Sequence, residues 1–157
     1  MGDAGAAQAM ADDLTKRFPE DTSAKFYYVP ALNHHNPAKA VEWLQLSSPY
    51  ESGEPQSCFF GFFGVMYPVY IRGEAYLALH QGAQAAAEFQ KIVDHREIVI
   101  SDPVGALAHL QLGRAYRMAG DQAKAKAAYS DFLNLWKDAD SDIPVFQQAR
   151  LEYEQLD

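Results

Sequence analysis

An all-α fold is predicted by three observations: the alanine content, an internal repeat, and capping residues placed where the repeat needs its helices to begin. Alanine supplies 25 of the 157 residues, concentrated in the first dozen positions, in 75–87 and in 106–128. It is the strongest helix former and is depleted in strands, which excludes an all-β fold. Two segments superpose. Arg72-Gly73-Glu74-Ala75-Tyr76 is followed by Ala85 and Phe89, and Leu112-Gly113-Arg114-Ala115-Tyr116 by Ala125 and Tyr129. In both, three residues separate Gly from Tyr, twelve separate Gly from Ala, and four separate Ala from the second aromatic; Gly113 lies 40 residues after Gly73. The spacing suits two antiparallel helices. Glycine on the first lets the second come close, tyrosine fills the gap one turn on, and alanine keeps the second helix small where the two touch. A glycine inside a helix costs about 1 kcal/mol against alanine, so close packing must offset it.

The elements follow in order. Gly2-Asp3-Ala4 resembles the turn Gly120-Asp121-Gln122, so a helix is expected from there toward Pro19, with Ala7 at the small contact. Ser23 to Asn33 is a poor first helix, interrupted by Pro30. Asn36-Pro37 then starts a second helix, with Asn36 as cap, Pro37 at N1, Ala40 at the small contact and Leu44 four residues later. Residues 49–64 are rich in proline, glycine and serine and read as an irregular loop. A helix is predicted from Met66 or Pro68 to Leu79, and Gly82 opens its partner, carrying Ala85, Ala86, Phe89 and Ile92. Asp102-Pro103 opens a helix to about Met118. Asp121 caps the next, along which Ala125, Ala128, Tyr129, Phe132 and Trp136 keep helical periodicity. Ile143 to Leu156 is a last helix, whose polar residues, Glu152 among them, are expected on an outer side.

The doubled Leu-Gly-x-x-Tyr and Ala-x-x-x-Phe pattern resembles the tetratricopeptide repeat. The resemblance implies a right-handed solenoid of antiparallel helix hairpins. It would comprise a half repeat (1–20), a degenerate repeat (21–48), the loop (49–64), two good repeats (65–96 and 102–138) and a capping helix (142–157). Opening inside a repeat, at its second helix, the chain reads as a piece of a longer protein. Arg17-Phe18-Pro19-Glu20-Asp21, Pro49-Tyr50-Glu51, Tyr67-Pro68-Val69-Tyr70, the segment Arg72 to Ala78 and the segment Ala106 to Tyr116 are similar to the C-terminal tetratricopeptide region of large acidobacterial regulators. Such regions commonly follow a serine/threonine kinase or a winged-helix domain. The segment Val29 to Asn36 departs from the pattern by being short, and the motifs of the kinase and winged-helix domains do not occur.

In this family the first helices of successive repeats line a groove for a peptide. Carried over by position, that groove would present Tyr67, Tyr70, Glu74 and Leu77 from one repeat, and Leu110, Arg114, Arg117 and Met118 from the next. Tyrosine and arginine are frequent interface anchors. The lysine and asparagine clamp that some members use for a C-terminal carboxylate is absent. The expected function is therefore a non-catalytic scaffold for a protein or peptide partner in a bacterial signalling protein, with no cofactor and a possible role in self-association. The alternative is a small-molecule sensor with its pocket around Phe59 to Tyr70, an aromatic segment otherwise expected to be buried.

Charge and titratable residues exclude other classes. Lys+Arg is 13 against Asp+Glu 21, a net charge of −8, and the lysines are scattered rather than striped, which argues against nucleic acid. Cys58 is alone, so no internal disulfide forms, and its aromatic neighbours suit an inert thiol. No signal peptide or membrane-spanning run is recognisable, so a cytoplasmic location is expected, or an extracytoplasmic one if a membrane span precedes this segment. Of the histidines, His34 and His35 are adjacent in a turn and unsuited to one metal. His109 reads as an interhelix packing residue, and His80 and His95 sit near helix C-termini. Asp94, His95 and Ser101 lack the elbow and oxyanion motif of a hydrolase, and no phosphate-binding glycine pattern occurs. Neither catalysis nor a metal site is expected.

Overall fold

The computed structural model describes residues 4–32, 36–51 and 66–156, and all regular structure among them is helical. Helix α1 (Ala4–Arg17) is followed by a π-turn (Ala24–Tyr28) and one turn of α2 (Val29–Leu32). Next come α3 (Pro37–Leu44), a 3-10 segment (Gln45–Tyr50), α4 (Tyr67–Ala78), α5 (Gly82–Asp94) and the single turn α6 (Arg96–Val99). The chain ends with α7 (Pro103–Met118), α8 (Gln122–Leu135) and α9 (Pro144–Glu154). Successive helices pack on one another: α3 on α4, α4 on α5, α5 on α7, α7 on α8, and α8 on α9. Helix α4 also touches α7 across α5.

The caps form as the sequence predicts. The Asn36 side chain accepts from Lys39 N–H, that of Asp102 from Val104 N–H, and that of Asp121 from Lys124 N–H. Each satisfies one of the orphan donors of a first turn. The weak segment before α3 behaves differently from a simple break. Pro30 lies within α2, and the turn before it widens until Val29 N–H reaches Ala24 O, five residues back. A proline brings no N–H to the helical ladder, and a wider turn is one way for the backbone to pass it.

The repeat is visible as side-chain geometry. A Cβ on Gly73 would lie 2.6 Å from Phe89 Cζ, and one on Gly113 would lie 2.7 Å from Tyr129 Cδ2. The glycine thus makes room for the aromatic ring of the second helix, one hairpin at a time. Phe89 and Tyr129 are fully buried, as are Ala40, Ala85 and Ala125. Burying a ring of this size contributes about 1.5–3 kcal/mol, which outweighs the helical cost of the glycine. Tyr76 and Tyr116 are half-buried against the same core, and Tyr116 donates to Gln90 Oε1 at 3.3 Å. In α1 the register differs from expectation: Ala7 is only half-buried, and Ala11, one turn on, is the residue 1% exposed.

The core forms three clusters. The largest joins α4, α5, α7 and α8 through Met66, Val69, Phe89, Ile92, Leu112 and their neighbours. A second joins α7, α8 and α9 around Leu110, Tyr129, Phe132 and Ala149, with Trp136 tilted against Phe132 at a centroid distance of 5.1 Å. The third ties α3 to α4 through Ala40, Leu44 and Ala75. Residues Cys58 and His34-His35, most of the loop 49–64 and the Phe59 to Val65 part of the aromatic segment lie outside the described residues. Of the rest of that segment, Met66 and Val69 are core, Tyr70 is half-buried and Tyr67 is exposed.

Candidate functional site

Helices α4 and α7 present the residues expected to line a groove, and their polar side chains form one connected row. Gln111 is 8% exposed, and its Nε2 donates to Tyr70 Oη at 3.2 Å and to Glu74 Oε1 at 3.1 Å. Arg114 Nη1 donates to Gln111 Oε1 at 3.2 Å. The same guanidinium grips Glu152 of α9 with two bonds of 2.8 Å, from Nε to Oε2 and from Nη2 to Oε1. Tyr129 Oη donates to Glu152 Oε2 at 2.7 Å, and Arg117 reaches Gln155 at 3.3 Å. The row therefore runs from α4 across α7 to α9.

Burial and charge act together along this row. Burial, with the negative charge of Glu74 beside it, pushes the Tyr70 hydroxyl up to about 12, against the opposing bond from Gln111 and the charge of Arg114. Burial and the bond to Glu152 raise Tyr129 as well. Burial would raise Glu152, but its hydrogen bonds from Arg114 and Tyr129 outweigh that and hold the carboxyl below its ordinary value. These groups keep one ionisation state around neutrality, so the row is an arrangement of fixed charges and donors.

Several groove expectations need correction. Leu110 is 1% exposed and sits in the core with Tyr129 and Phe132, so no ligand can reach it. Arg114 is occupied by Glu152. Glu152 itself, expected on the outer side of the last helix, points inward with 16% of its side chain exposed. Leu77 is half-buried against the core. Tyr70 contacts Phe89 edge-on at 5.5 Å between ring centroids. The accessible residues of the expected face are Tyr67, 39% exposed, Met118, 40% exposed, Glu74 and Arg117. Tyr67 Oη donates to Asp102 Oδ1 at 3.4 Å, linking the starts of α4 and α7.

The most unusual polar group is Arg72, which no expected site contains. It is fully buried. Nη1 donates to Leu44 O at 2.9 Å, the last carbonyl of α3, which also accepts from Ser47 Oγ at 2.7 Å. Arg72 pairs with Glu51, just after the 3-10 segment, and with Glu88 of α5; Lys91 Nζ closes the cluster 3.1 Å from Glu88. Burial lowers the guanidinium's pKa, and the bonds and charges of Glu51 and Glu88 more than reverse this. The sequence held one signal: Arg72 stands where the second copy of the repeat has Leu112.

Among the described residues, no group of three His, Cys, Asp or Glu side chains could hold a metal ion, and no helix is long and apolar enough to cross a membrane. His109 is half-buried between helices, its Nδ1 3.9 Å from Asp131. Comparison with known proteins finds no matching family model, no matching curated sequence and no matching solved structure.

Proposed function

We propose that the chain is a non-catalytic interaction module built of tetratricopeptide-like hairpins stacked as a right-handed solenoid, which takes a peptide along the face of α4 and α7. One observation carries the reading: the interlock of Gly73 with Phe89 and of Gly113 with Tyr129, forty residues apart. Two hairpins built on one plan, and packed side by side through α5 and α7, support an architecture whose first helices share a face. On that face Tyr67 and Met118 offer apolar surface, and Glu74 and Arg117 offer charge of both signs. An aromatic anchor with mixed charges around it suits an extended or helical peptide. A place within a larger bacterial signalling protein, and a cytoplasmic one, belongs to the same proposal.

The test is a peptide-display selection with the wild-type protein and with a Tyr67→Ala, Met118→Ala variant. The expected result is an enriched motif whose affinity falls by about tenfold or more in the variant, the loss of two partly exposed anchors, with the thermal midpoint unchanged. Selection of no motif, or equal binding by both proteins, overturns the reading.

A further inference from the structure

A second surface lies on the other side of α7. By helical periodicity Gln111 and Arg114 leave α7 on one side, and Gly105 and His109 on the other. There the end of α5, the turn α6, the start of α7 and the end of α8 line a half-open pocket of about 490 Å³. Its walls include Ile92, Val99, Ala106 and Trp136. The volume is in the range that holds a small organic molecule.

Two features mark this pocket as more than a packing fault. The first is backbone strain. Ile100, on its rim, has φ +47° and ψ −99°, a conformation suited to glycine and costly for a residue branched at Cβ. The turn is held by Ile100 N–H to Arg96 O at 3.0 Å and Asp102 N–H to Val99 O at 2.8 Å. It leaves the Ile100 side chain 58% exposed, and Leu135 across the pocket is also 58% exposed. Two large aliphatic groups are thereby held in solvent at the mouth of an apolar cavity.

The second feature is charge. Arg96 lines the pocket, and among the described residues its guanidinium makes no hydrogen bond or ion pair. Arg72 and Arg114, by contrast, are held by carboxylates. The Asp102 carboxylate also lines the pocket, its Oδ1 accepting from Val104 N–H at 2.9 Å and from Tyr67 Oη, and Asp131 lies 3.9 Å from His109 Nδ1. His109 adds a polar imidazole to the same wall. Arg96 is thus, among the described residues, a pocket-lining cation that no carboxylate holds.

We infer that this pocket binds a small apolar carboxylic acid, its carboxylate on Arg96 and its hydrocarbon body against Ile92, Val99, Ala106 and Trp136, with Ile100 and Leu135 closing over it. An arginine presents paired donors to a carboxylate, and the apolar walls favour the rest of such a molecule over water. The site uses other residues than the peptide face, which it meets at the Tyr67–Asp102 hydrogen bond, and its test does not depend on that reading.

Trp136 supplies the measurement. The chain has two tryptophans, so in a Trp43→Phe background Trp136 is the sole indole reporter. Octanoate and 4-phenylbutyrate are titrated against octanamide and 4-phenylbutyramide, following Trp136 emission. Saturable binding of the acids is expected, with the amides at least about tenfold weaker, the scale of one charge-assisted contact. Arg96→Gln should erase the difference between acid and amide, Arg96→Lys should retain part of it, and Ala106→Leu should weaken both ligands by filling the cavity. Circular dichroism of each variant should match the parent. Absence of saturation, equal affinity for acids and amides, or an undiminished acid preference in Arg96→Gln overturns the inference. So does tighter binding of octylamine than of octanoate.

Discussion

His80 and Gly120 occupy the same turn, forty residues apart, and solve it with different stereochemistry. Both have positive φ, 57° and 82°. In the first, His80 N–H donates to Leu77 O and Gln81 N–H to Tyr76 O; in the second, Gly120 N–H donates to Arg117 O and Asp121 N–H to Tyr116 O. These paired bonds are the Schellman ending of a helix, whose left-handed residue is ordinarily glycine. A side chain there costs about 1–2 kcal/mol. His80→Gly is therefore expected to stabilise the protein by about 1 kcal/mol, read as a higher denaturant midpoint at unchanged slope. Gly120→Ala should move the midpoint the other way. At this scale the sequence was informative where residues recur at fixed spacing. Gly73, Ala85 and Phe89 took the positions that Gly113, Ala125 and Tyr129 predicted. It was uninformative about Leu110 and Arg114, because spacing places a residue on a helix face without saying which neighbour will cover that face.

Helix α9 shows how an element can be predicted in extent and misread in orientation. Its apolar residues Val145, Phe146 and Tyr153, with Leu156 just beyond its end, pack beside the cluster around Tyr129, and Ala149 is fully buried. Its polar residues read as an outer surface because nothing local distinguishes Glu152 from Glu154. The distinction comes from Arg114, 38 residues earlier, whose fork fits a carboxylate with two parallel bonds. A double-mutant cycle on Arg114→Ala and Glu152→Ala should give a coupling energy of about 1–3 kcal/mol. Hydrogen exchange should rise in 144–154 in either single variant while α4 and α5 stay protected. A coupling near zero would mean that apolar packing alone holds α9.

Across the whole molecule, Arg72 joins segments that the core clusters leave separate. Its partners are a carbonyl at the end of α3, a carboxylate after the 3-10 segment and a carboxylate on α5. Removing one member of such a buried set strands the others, at a cost of about 3–5 kcal/mol. Arg72→Leu should lose about that much stability. Adding Glu51→Gln and Glu88→Gln should restore part of it, because two buried carboxylates no longer face each other without a cation. A triple variant less stable than Arg72→Leu would contradict this account. The helical class, the starts of α3, α4, α5, α7, α8 and α9 and the doubled hairpin were legible in the sequence, since each rests on residues close together in the chain, whereas the single turn α6 falls where the spacing suggested only a linker. The cluster at Arg72 was not, because its members are separated by a segment with no periodic pattern, and only the exchange of leucine for arginine in the repeat hinted at it.

The position of Arg72 also bears on the order in which the chain folds. The hairpins α4–α5 and α7–α8 join neighbours through connections of a few residues, the kind of contact that forms early. Arg72 lies in one of those hairpins, yet its charge loses water only when Leu44 and Glu51 arrive from outside it. An early hairpin must therefore keep this face hydrated and open. Docking of α3 and the 3-10 segment then coincides with the expulsion of that water, which couples the seating of the N-terminal part to the burial of a charge.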